Sequence, residues 1–188
     1  ADNRAFKYGD AVFESLLVIH QEAPLLNYAL TRLKKGMALL GMEIPESWNA
    51  DFFKPLISQL CKYKDFDECR CKITVWRSGA GLYLPQTNTP ALLIEVFALS
   101  NPVLEPLSSI QLGLYENYPK LMHPLSACKT SNALPYVMAA LYAQQHHYDD
   151  VLLLNTENTI ADAISSNIFI VKNNVVYTTQ PLNGGVEG

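Results

Sequence analysis

The sequence predicts two α+β lobes, and three observations carry that prediction. Short runs of strand-forming residues alternate with stretches of helical periodicity. Of the 188 residues, 49% are hydrophobic and only 17% charged, which is enough apolar surface to bury a sizeable core. A proline-bearing break, Asn101 to Pro106 with Pro102 and Pro106, interrupts the pattern where neither a helix nor a central strand would tolerate it. The lobes are therefore assigned to residues 1–105, a small N-terminal α+β domain, and 106–188.

Residues Ala11 to Ile19 read as a buried or half-buried strand, flanked by Gly9-Asp10 and Gln21-Glu22. A helix follows, with Asn27 as its cap and Leu26, Leu30, Leu33, Met37 and Leu40 on one face until Gly41 ends it. Ser47 or Asn49 starts a second helix whose Phe52, Phe53, Leu56, Ile57 and Leu60 form an apolar stripe that needs a sheet to cover. Cys69 to Trp76 alternates in polarity and Ala91 to Leu99 is apolar nearly throughout, so these are expected to be neighbouring strands. Beyond the break come a strand at Ile110 to Tyr115, an irregular stretch with Pro119 and Pro124, and a helix from about Leu134 to His147 with Pro135 in its first turn. Three strands close the pattern, Val151 to Leu154, Asn167 to Val171 and Val175 to Thr179, the last two joined by a tight Asn173-Asn174 turn.

Composition excludes several classes of function. Fourteen Lys and Arg against eighteen Asp and Glu leave a net charge of -4, so no global positive field attracts nucleic acid or an anionic membrane. Apolar runs such as Val151 to Leu154 are far shorter than the roughly 20 residues of a bilayer span. Cys61, Cys69, Cys71 and Cys128 form no C-x-x-C pair and have no histidine at zinc-ligand spacing, so no metal is expected. With no sequon and no apolar leader, the default compartment is a reducing cytoplasm. The chain opens on Ala1 and closes in a glycine-rich turn, so both ends read as trimmed.

Four motifs carry chemistry. They are R-A-F-K-Y-G-D-A-V-F-E-S (Arg4 to Ser15), L-T-R-L (Leu30 to Leu33), C-K-T-S-N-A-L (Cys128 to Leu134) and D-A-I-S-S-N-I-F (Asp162 to Phe169), accompanied by V-L-L-L-N and V-Y-T-T-Q-P-L. Together and in this order they resemble the signatures of the class IV aminotransferases. These are the fold-type IV pyridoxal-phosphate enzymes, which include branched-chain and D-amino-acid aminotransferases and aminodeoxychorismate lyase. The resemblance runs from Arg4 to the end and implies a two-lobed fold-type IV architecture with a truncated C-terminal lobe, bound pyridoxal 5'-phosphate and a homodimer whose active sites each borrow a loop from the partner.

Lys129 follows small and apolar residues and precedes a helix, a setting that disfavours an ammonium and favours a nucleophilic amine. By the family's K-T-x-N pattern it would hold the cofactor as a Schiff base and shuttle a proton at the substrate Cα. Asp162 matches the carboxylate that faces the ring nitrogen, usually Glu. Losing one methylene shortens its reach by roughly 1.5 Å. Its alternative is a solvated turn residue after a strand. Arg32 matches the arginine of the R-L motif that contacts the phosphate, against an ordinary polar-face residue on a helix. Phe13 is either a wall of the pocket or core. Arg77 either holds a substrate carboxylate, as some members of the family do, or is a loop charge beside Gly79 and Gly81. Tyr8 and Tyr83 are weaker candidates. The remaining phosphate contacts of the family lie beyond the G-x-x-G turn, and this sequence ends at Gly188, so the cup reads as incomplete.

The resemblance implies an amino transfer between an amino acid and a 2-oxo acid. Phe13-Glu14 matches the transaminase form of the first motif; Ser15 supplies a hydroxyl where the pyruvate-releasing lyases often carry Thr, Leu134 replaces the Tyr typical of branched-chain enzymes, and Gly81-Leu82 lacks the second arginine of the lyase form. A cofactor-free binding protein on the same fold is the reading from another class.

Overall fold

Antiparallel pairing of three long strands builds the N-terminal unit in the computed structural model, which describes residues 3–99, 109–180 and 183–187. The expected break at Asn101 to Pro106 lies outside the described residues. The chain divides into two compact units, one of residues 1–105 with Lys129–Ser131, the other of Pro106–Cys128 and Asn132–Gly188.

In the first unit, α1 (Arg4–Tyr8) is a single turn capped by the Asn3 side chain and closed by Gly9 at φ 67°. Strands β1 (Ala11–Ile19), β2 (Glu68–Arg77) and β3 (Pro90–Ala98) form one sheet in the order β1-β2-β3. Alternation sends Val12, Leu16 and Val18 of β1 and Cys69, Cys71, Ile73 and Val75 of β2 to one face. Helices α2 (Leu26–Leu39) and α3 (Ala50–Lys64) supply the apolar residues of that core through Leu26, Leu30, Leu33 and Met37 and through Phe53, Ile57 and Cys61. Asn49 caps α3 by accepting the Phe52 amide. Asn27 does not cap α2: the helix begins one residue earlier, Leu25 occupies the cap position without a side-chain bond, and the Asn27 carbonyl accepts the Thr31 hydroxyl. All four cysteines are buried and none forms a disulfide with another, and burial with the nearby Cys61 thiol pushes the Cys71 thiol up to about 12.

In the second unit, β4 (Leu112–Lys120) runs parallel to β5 (Asp150–Asn155), which pairs antiparallel with β6 (Ile160–Ala163). Helix α4 (Leu134–Gln145) packs Ala139 and Ala143 into a small core with Tyr115, Val151 and Leu153. Strand β4 continues past Tyr115 into the stretch expected to be irregular. It is an edge strand, where Pro119 forfeits no central ladder bond, and its pairing with β5 shifts register between Tyr115 and Lys120. Strand β6 was not expected at all. Its four residues, Ile-Ala-Asp-Ala, are too few and too weak in strand propensity to register, yet the turn before it is held by the fully buried Asn155, whose Oδ1 accepts the Glu157 and Thr159 amides. The hairpin β7 (Phe169–Lys172) and β8 (Val175–Thr178) turns at Asn173 and Asn174, both at positive φ, 52° and 59°.

Gly113 on β4 is pressed against an aromatic ring. A Cβ there would lie 2.3 and 2.5 Å from ring atoms of Tyr148. Gly113→Ala is expected to cost about 1–3 kcal/mol by urea unfolding, and Gly113→Ala with Tyr148→Ala should recover the part of that loss that is steric.

Candidate functional site

Residues 129–131 lie along the edge of β1 that β2 does not occupy. The Phe13 amide donates to the Lys129 carbonyl at 2.8 Å and the Ser131 amide to the Ala11 carbonyl at 3.0 Å, bridging Val12 to Thr130. That register sets Lys129 opposite Phe13, which in turn faces Thr74 and then Leu93 across the sheet. Opposed residues share a face, so Lys129 and Phe13 lie on the side away from α2 and α3. Both are half-buried. The Lys72 ammonium stands 4.9 Å from the centre of the Phe13 ring.

On the other side of β1, Glu14 occupies an inward position between Val12 and Leu16 and is 1% exposed. Arg32 on α2 meets it with two parallel bonds, Nε to Oε1 at 2.7 Å and Nη2 to Oε2 at 2.6 Å. This is the bidentate fork that suits a guanidinium to a carboxylate. Sequence reasoning missed Glu14 as a partner, although an acid in an otherwise apolar alternation was a legible signal.

Arg77 is turned inward. Its side chain makes five hydrogen bonds, to both Asp10 oxygens, the Gly41 and Leu40 carbonyls and Asn88 Oδ1. Asp10 also accepts from Arg4, a buried arginine whose remaining donors reach the Gly81, Leu82 and Tyr83 carbonyls. Burial alone would raise the Asp10 pKa, but the bonds and charges of Arg4 and Arg77 together hold it below the usual carboxylate value. The Arg4 contacts fix the backbone of a loop whose Leu82, Tyr83 and Leu84 side chains are exposed, with the Tyr8 ring 5.6 Å from that of Tyr83.

In the second unit Asp162 sits on β6, 4% exposed. Three donors meet its Oδ2: Lys120 Nζ at 3.0 Å, the Tyr136 hydroxyl at 2.8 Å and the Val186 amide at 3.2 Å. Lys120 also donates to the Tyr136 oxygen. Among the described residues none donates to Oδ1. Asp162 is thus a buried strand residue and not a solvated turn acid. Lys120 and Tyr136 were not singled out from sequence, since a lone lysine after a proline and a tyrosine in a helical turn carry no pattern. Among the described residues no group of three or more His, Cys, Asp or Glu could hold a metal ion, and no helix is long and apolar enough to cross a membrane.

The sequence profile of the family described as amino-transferase class IV matches residues 11–188. The chain belongs to this family. As a class IV aminotransferase sequence it is 27% identical over 177 residues to a probable branched-chain-amino-acid aminotransferase of Rickettsia bellii, covering 91% of this chain and 59% of that protein. Among solved structures, a putative 4-amino-4-deoxychorismate lyase from Legionella pneumophila superposes with a TM-score of 0.85 at 24% identity, over 100% of this chain and 68% of that one. A branched-chain amino acid aminotransferase of T.th., solved with pyridoxamine 5'-phosphate, superposes with a TM-score of 0.79 at 19% identity, over 99% and 63%. The fold is that of the fold-type IV enzymes, and the chain spans about three fifths of the length of the Rickettsia relative.

Proposed function

We propose that this class IV chain belongs to a pyridoxal-phosphate-dependent aminotransferase that moves an amino group between an amino acid and a 2-oxo acid, with Lys129 as the amine that holds the cofactor. One observation carries the reading. Lys129, in the K-T-x-N pattern, is locked by backbone bonds to the edge of β1, half-buried and opposite Phe13, so its amine is carried by a rigid support on the side of the sheet away from α2 and α3. The other residues suit the same cofactor. Asp162 offers a buried carboxylate with one oxygen already anchored, as a protonated ring nitrogen requires, and Arg32 offers a guanidinium oriented by Glu14, as a phosphate requires. When bound, pyridoxal phosphate supplies an electron sink for charge at the substrate Cα. The protein's part is to hold the cofactor through Lys129 Nζ, to move a proton at that carbon with the same amine, and to wall the ring with Phe13.

The test is a spectroscopic one. Purified protein given pyridoxal phosphate should turn yellow, lose the visible band on borohydride reduction, and carry the reduced label on Lys129. Lys129→Ala should take no label and lose amino transfer by at least about a hundredfold. A colourless protein indifferent to the cofactor would support the cofactor-free binding module instead.

A lyase is the second reading. Ser15, a hydroxyl where lyases often carry Thr, favours it, on a fold that the Legionella protein shares. Pyruvate release from aminodeoxychorismate without glutamate-coupled transfer would decide for it. The proposal extends to a homodimer, for which the exposed Leu82, Tyr83 and Leu84 held by Arg4 offer an apolar contact, and to a cytoplasmic site, in keeping with four cysteines that form no disulfide with one another.

A further inference from the structure

A carboxylate buried as deeply as Asp162 needs hydrogen-bond donors, and the way it is paired determines where it points. Its donors come from three separate pieces of chain. Lys120 ends β4, Tyr136 lies in the first turn of α4, and Val186 belongs to the 183–187 segment. All three aim at Oδ2. Donors that converge on one oxygen from three directions fix where that oxygen sits, and with it the direction in which the second oxygen points. Among the described residues that second oxygen, Oδ1, accepts nothing.

The chemistry of the donors fits this task. Burial lowers the Lys120 pKa while Asp162 raises it in part, so the ammonium depends on the carboxylate for its charge. Burial and the adjacent carboxylate both push the Tyr136 hydroxyl far above its ordinary range, so it remains a neutral donor. The lysine also lies 4.7 Å from the centre of the Tyr136 ring, which ties the two donors to each other. A short acid held by a rigid pair of donors can do what a longer acid does by reach.

We propose that Lys120 and Tyr136 are positioning residues that grip Oδ2 of Asp162 and so present Oδ1 to the protonated ring nitrogen of pyridoxal phosphate. The inference rests on the cofactor reading above and adds the device by which this chain uses Asp. Its effect at the ring nitrogen is separated from any effect on folding by an analogue that lacks that nitrogen.

The experiment compares the affinity of the full chain for pyridoxal phosphate and for its 1-deaza analogue, in which a C–H replaces the ring nitrogen, by fluorescence titration. The wild-type chain should prefer pyridoxal phosphate by about ten- to a hundredfold, the scale on which outer-shell partners act at liganded sites. Lys120→Met should abolish most of that preference by weakening pyridoxal phosphate while leaving the deaza analogue unchanged. Tyr136→Phe, which removes one hydroxyl and keeps the ring, should reduce it in the same sense and serves should Lys120→Met fail to fold. A preference left intact in the variants, or equal losses for both ligands, overturns the inference and leaves the cofactor reading standing. A wild-type chain that binds neither ligand overturns the cofactor reading, and this inference with it.

Discussion

Asp10→Asn is expected to destabilise the N-terminal unit by about 3–5 kcal/mol, the cost of leaving buried charge without its partner. One carboxylate there serves two guanidiniums, Arg4 at 4% and Arg77 at 6% exposure, and neither can swing into water without breaking its carbonyl bonds. The amide keeps an acceptor but removes the negative charge. A pH signature accompanies the loss. Asp10 titrates below the usual carboxylate value of 3.8, so its contribution is fully present above that value in the wild-type chain and is lost as the pH falls through the lower folded-state value. The gap between wild type and Asp10→Asn in urea unfolding should therefore be constant near neutrality and shrink below about pH 3.8. A gap that stays constant into acid would show that the carboxylate charge is not what the two arginines need.

Arg32→Met should cost a similar amount, about 3–5 kcal/mol, because it strands Glu14 in an apolar layer at 1% exposure. The direction of the damage is specific. Replacing both partners, Glu14→Leu with Arg32→Met, removes the buried charge altogether and should restore most of the stability, a strongly non-additive result. Retention of pyridoxal phosphate should not recover in the double variant, since the guanidinium proposed to meet the phosphate is gone. Stability and cofactor retention that recover together would make the pair purely structural.

These two clusters show how far the sequence could be read. A run of strand formers between turn signals revealed β1 to the residue, and the apolar stripe revealed α3, because burial of one face is written into a periodic pattern. Neighbouring of β2 and β3 followed from the same pattern. Capping of α2 was misassigned because an asparagine near a helix start satisfies the local rule whether or not the chain bends there. The contacts of the candidate site were less legible. Glu14 with Arg32, Asp10 with Arg4 and Arg77, and Asp162 with Lys120 and Tyr136 each include a bond between residues 18 to 67 positions apart. Polar contacts at such separations have no period. What the motifs could supply was residue identity, and the fold then decided which arginine faces inward and which acid is gripped.

The lysine segment also has a kinetic side. During synthesis the first sheet has β1, β2 and β3 at hand well before residues 129–131 leave the ribosome, and until then the outer edge of β1 at Ala11–Phe13 carries an amide and a carbonyl whose partners are not yet made. An open edge is a template for the wrong neighbour. The same three residues that would carry the reactive amine therefore act as a seal for a nascent sheet, and a ribosome stalled between residues 105 and 128 would leave it sticky.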